Sequence, residues 1–153
     1  GHKADIYEGG HRVPLIVRWP GQVKGPATTK ALACLTDLYA TLEDLTGQPR
    51  QKLGGEDGFS LLPVFRGADT SGRDTLISHS IGGSFAIRQG DWKLLEYFED
   101  GRLELYNLAD DVSEEHELSA SQPDVAHRLR SQLRAWRRRV DAPMPTPNPN
   151  WKH

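Results

Sequence analysis

Thr75-Leu-Ile-Ser-His79, Ser84-Phe-Ala-Ile-Arg-Gln89, Trp92-Lys-Leu-Leu-Glu-Tyr-Phe98 and Arg102-Leu-Glu-Leu-Tyr-Asn107 decide the fold. Each is short, rich in β-branched and aromatic residues, and follows a period of two. Gly82-Gly83, Gly90-Asp91 and Asp100-Gly101 separate them. Links that short force antiparallel neighbours, so this stretch predicts a four-stranded meander. Downstream, Asp110 to Glu117 reads as an acidic surface loop. Pro123 then suits the first turn of a helix, and Val125, Leu129, Leu133, Trp136 and Val140 make one apolar stripe to lie across a sheet face.

Upstream the period changes. Val13-Pro-Leu-Ile-Val-Arg-Trp19, between Gly9-Gly10 and Pro20-Gly21, reads as a buried strand. Thr36 is a candidate cap for a helix in which Leu35, Leu38, Tyr39, Leu42 and Leu45 form the apolar face, stopped by Gly47 and Pro49. A further turn of helix is expected from Ser60 to Phe65, after a glycine-rich loop. The tail from Pro143, with Pro at alternate positions, is expected to be extended. Residues 1–72, 73–142 and 143–153 are thus read as the end of an α/β domain, an α+β subdomain and a proline-rich tail.

A net charge of −2 over 153 residues gives no global attraction to nucleic acid or to an anionic membrane, and neither is expected as a partner. The arginines at 134 and 137–139 fall on the predicted helix, where such a run is a solvated face. No apolar run approaches the ~20 residues that a membrane helix needs. The abrupt start at Gly1, without Met, predicts a piece of a longer protein. Its lone cysteine, Cys34, excludes an internal disulfide and reads as a small buried hydrophobe.

Gly1-His-Lys-Ala-Asp-Ile-Tyr-Glu-Gly-Gly-His-Arg-Val-Pro14, followed by an apolar run and Trp19-Pro-Gly21, resembles G-x-K-x-x-x-Y-E-G-G-x-R-x-P…W-P-G, a pattern of sulfatases of the arylsulfatase type in the alkaline phosphatase superfamily. Every fixed position matches. Thr36 to Gly47 resembles that family's D-x-x-P-T-L-x-x-L-x-G helix, with Ala40 where Pro is usual. Asp57-Gly-Phe-Ser-Leu-Leu-Pro63 is similar to D-G-x-S-L-x-P, and Ala86 to Leu94 to the hairpin A-x-R-x-G-x-W/Y-K-L. Leu105 to Leu108 and Asp111 to Leu118 resemble L-Y-D-L and D-P-x-E-x-x-N-L, with Val112 and Glu117 as departures in a turn.

The resemblance implies hydrolysis of sulfate esters by the intact parent. A sulfated small molecule or glycan is the implied substrate, and a periplasmic or secreted location accompanies the family. A sulfate ester is anionic, and its bridging oxygen gathers charge as the S–O bond breaks. Catalysis therefore needs cations on the nonbridging oxygens, a nucleophile and a proton for the leaving oxygen. In the family these come from a formylglycine, made from Cys or Ser in a C-x-P-S-R type motif, and from a calcium ion held by Asp and Asn. Cys34 lacks that context, and no calcium-ligand spacing is present, so no catalytic nucleophile or metal ligand is assigned here. The chain alone is expected to be inactive.

By the same resemblance Lys3 contacts the substrate sulfate, a role that suits a compact cation with three donors. His2, beside it, and His79, at a strand end, are further candidate substrate contacts. Glu8 and Arg12 are read as structural, pairing around Gly9-Gly10, which are expected to supply positive φ or a close backbone approach. Arg88 and Lys93 are expected to pack and to pair charges across strands. Two other readings remain open: a phosphodiesterase or phosphonate hydrolase of the same superfamily, and a scaffold module without catalysis.

Overall fold

The structure, a computed structural model, describes residues 3, 5–49, 56–68, 72–80, 83–144 and 146. They fall into two compact units, one made of the segment up to Val13 with Leu76 onward, the other of Pro14–Thr75.

The first unit is built on an antiparallel sheet of β1 (Thr75–His79), β2 (Ser84–Gln89), β3 (Trp92–Tyr97) and β4 (Leu103–Asn107), in the order β1-β2-β3-β4. Ile87 lies opposite Leu94, and Leu94 opposite Leu105, so alternate residues of three strands build a continuous apolar face. With Phe85, these residues pack against Ala126, Leu129 and Leu133 of the C-terminal helix, Pro123–Arg139. That face also holds Glu96, which accepts from Arg130 Nε at 2.8 Å and Arg137 Nη2 at 2.5 Å of the helix. Burial pushes the Glu96 carboxyl up, and the two guanidiniums outweigh it and hold it below its ordinary range. The meander and its packing helix are the architecture the sequence predicts.

The opposite sheet face presents Ala86, Leu95 and Tyr106. Ile6 buries against them, so the segment carrying Tyr7 and Glu8 covers the second face, and the sheet lies between that segment and the helix. The free edge of β4 is closed by the acidic loop: Leu105 N–H donates to Glu117 Oε1 at 3.0 Å, and Leu118 N–H to the Leu105 carbonyl at 2.9 Å.

In the second unit a helix spans Leu35–Thr46, ended by Gly47 at φ 68°, and a short one follows at Leu62–Phe65. The cap is Cys34 rather than Thr36, with Asp37 accepting from the Cys34 N–H at 2.8 Å. Cys34 is accordingly half-buried at a helix end rather than a core hydrophobe. The expected apolar core face is also reversed. Asp37, Ala40 and Thr41 are buried, whereas Leu35, Tyr39, Leu42 and Leu45 are exposed. Asp37 gathers Phe59 N–H at 2.8 Å and the Arg73 guanidinium, and Thr41 Oγ1 accepts Leu61 N–H at 2.8 Å. Backbone donors and a cation need acceptors, so the polar side of the helix faces the 57–62 loop. Burial raises the Asp37 carboxyl, and its hydrogen bonds to Arg73, Phe59 and Cys34 outweigh that and lower it.

Val13–Trp19 does not form the expected buried strand. Its backbone has no partner strand among the described residues, and Val13, Leu15 and Ile16 are exposed. An apolar, β-branched run reports a preference for a buried sheet, but a strand exists only where another strand takes its N–H and C=O groups.

Candidate functional site

The segment bearing Lys3 is held by two buried polar clusters on the inner sheet face. Residues 8–11 form a single helical turn, Glu8–His11, so of the two roles expected of the glycines, positive φ or close approach, positive φ is not used. Gly10 instead supplies the close approach. A Cβ there would lie 2.2 Å from the Asp5 carbonyl oxygen, so any side chain at this position would force the turn open.

The first cluster surrounds Lys93, which is 1 % exposed. Alternation along β3 points it away from the C-terminal helix and towards Glu8, and its Nζ lies 3.0 Å from Glu8 Oε1 and 2.8 Å from Glu114 Oε1. Glu8 N–H donates to Glu114 Oε2 at 2.6 Å. Arg88, directly opposite Lys93 on β2, reaches Glu8 Oε2 at 3.5 Å. Two cations facing each other across strands repel. Here Glu8 stands between them, so the expected cross-strand pairing is instead a bridge through the N-terminal segment. Arg12 joins at 3.8 Å and His11 Nε2 at 3.4 Å, which places the anticipated Glu8–Arg12 contact at the rim of a larger network. Burial pushes the Glu8 carboxyl up. The His11 hydrogen bond and the charges of Lys93 and Arg88 outweigh it and hold it down to about 2.

The second cluster is centred on Glu104 of β4. Tyr7 and Tyr106 donate to its Oε2 at 2.6 and 3.0 Å, and Arg102 Nη1 to its Oε1 at 2.5 Å. The Tyr97 hydroxyl donates to that of Tyr7 at 2.7 Å. Burial, then the hydrogen bond to Glu104, raises the Tyr7 phenol well above its ordinary value, and Tyr106 shifts the same way for the same reasons. These phenols are therefore donors at every physiological pH.

Of the predicted substrate contacts, Lys3 is exposed at the start of this anchored segment. His2 lies outside the described residues. His79 is not brought to the anchored turn; its ring stacks on Phe85 at 4.3 Å between centroids, and Phe85 belongs to the face that the C-terminal helix covers.

The acidic loop is not simply solvated, as the sequence led us to expect. Glu114 turns inward, its side chain 2 % exposed against Lys93, while Glu117 stays exposed and accepts the Leu105 N–H at the sheet edge. Asp111 accepts the N–H groups of Glu115 and His116. With those oxygens engaged by backbone and by Lys93, the loop does not fit calcium, and among the described residues no group of three His, Cys, Asp or Glu is arranged to hold a metal.

The sequence alone does not mark Tyr7, Glu104 or Glu114 as anchors, and it marks Lys93 only as a residue that packs and pairs charge across strands. A signal existed in part: Lys93 and Glu104 occupy positions in phase with the inward residues Leu95 and Tyr106. Glu114 gave none, because a loop carboxylate carries no period.

The family defined by the C-terminal region of N-sulphoglucosamine sulphohydrolase matches residues 2–139. The chain is 31 % identical over 143 residues to an N-acetylgalactosamine-6-O-sulfatase of Bacteroides thetaiotaomicron, covering 84 % of this chain and 28 % of that protein. It is 33 % identical over 133 residues to human arylsulfatase A, covering 83 % of this chain and 26 % of the enzyme. A solved structure from a glycosaminoglycan-metabolism locus of Bacteroides thetaiotaomicron superposes with a TM-score of 0.75 at 29 % identity, over 88 % of this chain and 31 % of that one. The chain belongs to the sulfatase family and corresponds to its C-terminal region. It spans less than a third of the length of these curated relatives.

Proposed function

We propose that the protein carrying this chain hydrolyses sulfate esters, and that this chain supplies Lys3 and part of the pocket wall rather than the nucleophile. The observation that carries the reading is the family match over residues 2–139, which includes the Lys3 segment. An ammonium group contributes three donors and a full charge to the nonbridging sulfate oxygens, and such groups act most strongly where charge develops during S–O cleavage. The formylglycine, and the Asp and Asn side chains that would hold a calcium ion, would lie outside this chain.

The substrate class we favour is a sulfated glycan. One relative is named for N-acetylgalactosamine-6-O-sulfate chemistry. Another solved relative of the same fold is complexed with its substrate D-glucosamine-2-N,6-O-disulfate. We further propose that residues 1–72 complete the parent's α/β domain, which would cover the exposed Val13, Leu15, Ile16, Leu35, Leu42 and Leu45.

The test is turnover of an aryl sulfate, a 6-sulfated amino sugar and a phosphodiester by the full-length protein and by this chain alone. Sulfate ester hydrolysis by the full-length protein only, falling about 100-fold in Lys3→Ala, is expected. Faster phosphodiester turnover would move the assignment to another branch of the superfamily. Calcium-dependent turnover by the chain alone would refute the division of labour.

A further inference from the structure

We propose that Lys93 and Glu114 are positioning residues that fix the Lys3-bearing segment on the sheet; this rests on the reading that Lys3 meets the substrate sulfate. Three observations carry it. Ile6 gives the segment an apolar anchor, but apolar contact is non-directional and leaves register free. The directional part of the interface is a buried set of charges, with Glu8 and Glu114 against Lys93 and Arg88. A buried ion pair is a poor source of stability compared with apolar packing of the same volume, and its best-attested use is to fix one arrangement among several. The Glu8 contacts hold both its carboxylate and its backbone N–H, so the segment can neither slide nor rotate without stranding a buried group.

Glu114 itself sits at φ 59°, a left-handed conformation that non-glycine residues adopt at a cost. That cost is met in the residue whose carboxylate receives the Glu8 N–H. The closed turn from Asp5 to Gly10 then carries the fixed orientation to within two residues of Lys3. Tyr7 on Glu104 is a second pin beside the first. A cation that must meet a developing charge gains from being held before the substrate arrives, and small misplacements of such groups lower rate more than affinity.

Glu114→Ala and Glu114→Gln separate this role from support of the fold, because residue 114 lies in a loop outside the sheet and helix. Amide exchange is read in this chain, and kinetics on an aryl sulfate in the full-length enzyme. In Glu114→Ala the Glu8 amide is expected to exchange about 10-fold faster or more, with Ile87, Leu94 and Leu105 unchanged. The value of kcat is expected to fall about 10-fold with KM within about 2-fold. Glu114→Gln keeps one acceptor for the Glu8 N–H but sets its NH2 against the Lys93 ammonium, and is expected to recover the Glu8 protection in part while kcat stays below that of the unsubstituted enzyme. Unchanged Glu8 exchange, or released exchange with unchanged kcat, would overturn the proposal. So would loss of protection throughout the sheet, which would make Glu114 a support of the fold. Lack of turnover by the unsubstituted enzyme would count against the sulfatase reading alone, leaving the clamp to be decided by exchange.

Discussion

The helices Leu35–Thr46 and Pro123–Arg139 are both amphipathic, yet they are used in opposite ways. The later helix buries Leu129 and Leu133 completely, on a sheet face that the same chain supplies. The earlier one buries Asp37 and Thr41 and leaves Leu35, Tyr39, Leu42 and Leu45 in solvent. Helical periodicity states which side of a helix is apolar. It does not state whether anything in the chain is there to cover it. Here the polar side is satisfied internally and the apolar side stays open.

The sharpest way to break the comparison is to remove the polar contact that turns the first helix round. Asp37→Ala strands the Phe59 and Cys34 N–H groups and removes the carboxylate from the Arg73 guanidinium, which keeps the Asp57 carbonyl, and is expected to destabilise the second unit by about 3–5 kcal/mol. Loss of amide protection at Phe59 and Leu61, with the sheet unaffected, is the signature to look for. On the other helix, Leu129→Ala and Leu133→Ala should each cost about 2–5 kcal/mol in denaturant unfolding of the first unit. A value under about 1 kcal/mol for both would show that the sheet does not depend on its packing helix.

Acid acts on both regions. Glu8 is lowered to about 2 from an ordinary 4.5, so its contribution to stability is complete above about pH 4.5 and is lost as pH falls towards 2. Asp37 and Glu96 are lowered too, and lose their contributions in the same direction. The Glu8 part should amount to something on the order of 2 kcal/mol, and Glu8→Gln should flatten that limb of a stability-versus-pH curve. An unchanged limb would mean that the Lys93 cluster is not intact in solution. The smallest effect expected is from Leu42→Ser, within about 0.5 kcal/mol in this chain because Leu42 is 57 % exposed. In the full-length protein the same change should cost about 1.5–3 kcal/mol if the apolar face is covered there. That contrast would sharpen the comparison into a direct measure of what the rest of the protein contributes.

Much of the sheet unit was legible because its elements are local. Four period-two runs with tight links leave one arrangement, and the observed β1 and β2 bounds match those read from the residues. The candidate site was legible only in outline. The spacing around Tyr7-Glu8-Gly9-Gly10 marks a family pattern, and the match over residues 2–139 agrees with it. What Tyr7 and Glu8 touch was not legible, because their partners lie 97 and 106 residues away in the chain. Nor was the failure of Val13–Trp19 to become a strand, since its residues favour a sheet whether or not one is there.

By itself, then, the sequence determined the family, the meander and the packing helix, and it set Lys3 within the family pattern. Periodicity, turn residues and motif spacing are properties of neighbours in the chain, and they suffice for these. Tertiary structure alone decided that the Lys3 segment rests on buried charges of the C-terminal sheet, that Glu114 turns inward, and that the first helix faces its neighbours with its polar side. Each of these depends on which distant group satisfies a buried charge or backbone donor, and that partner is chosen in space rather than along the sequence.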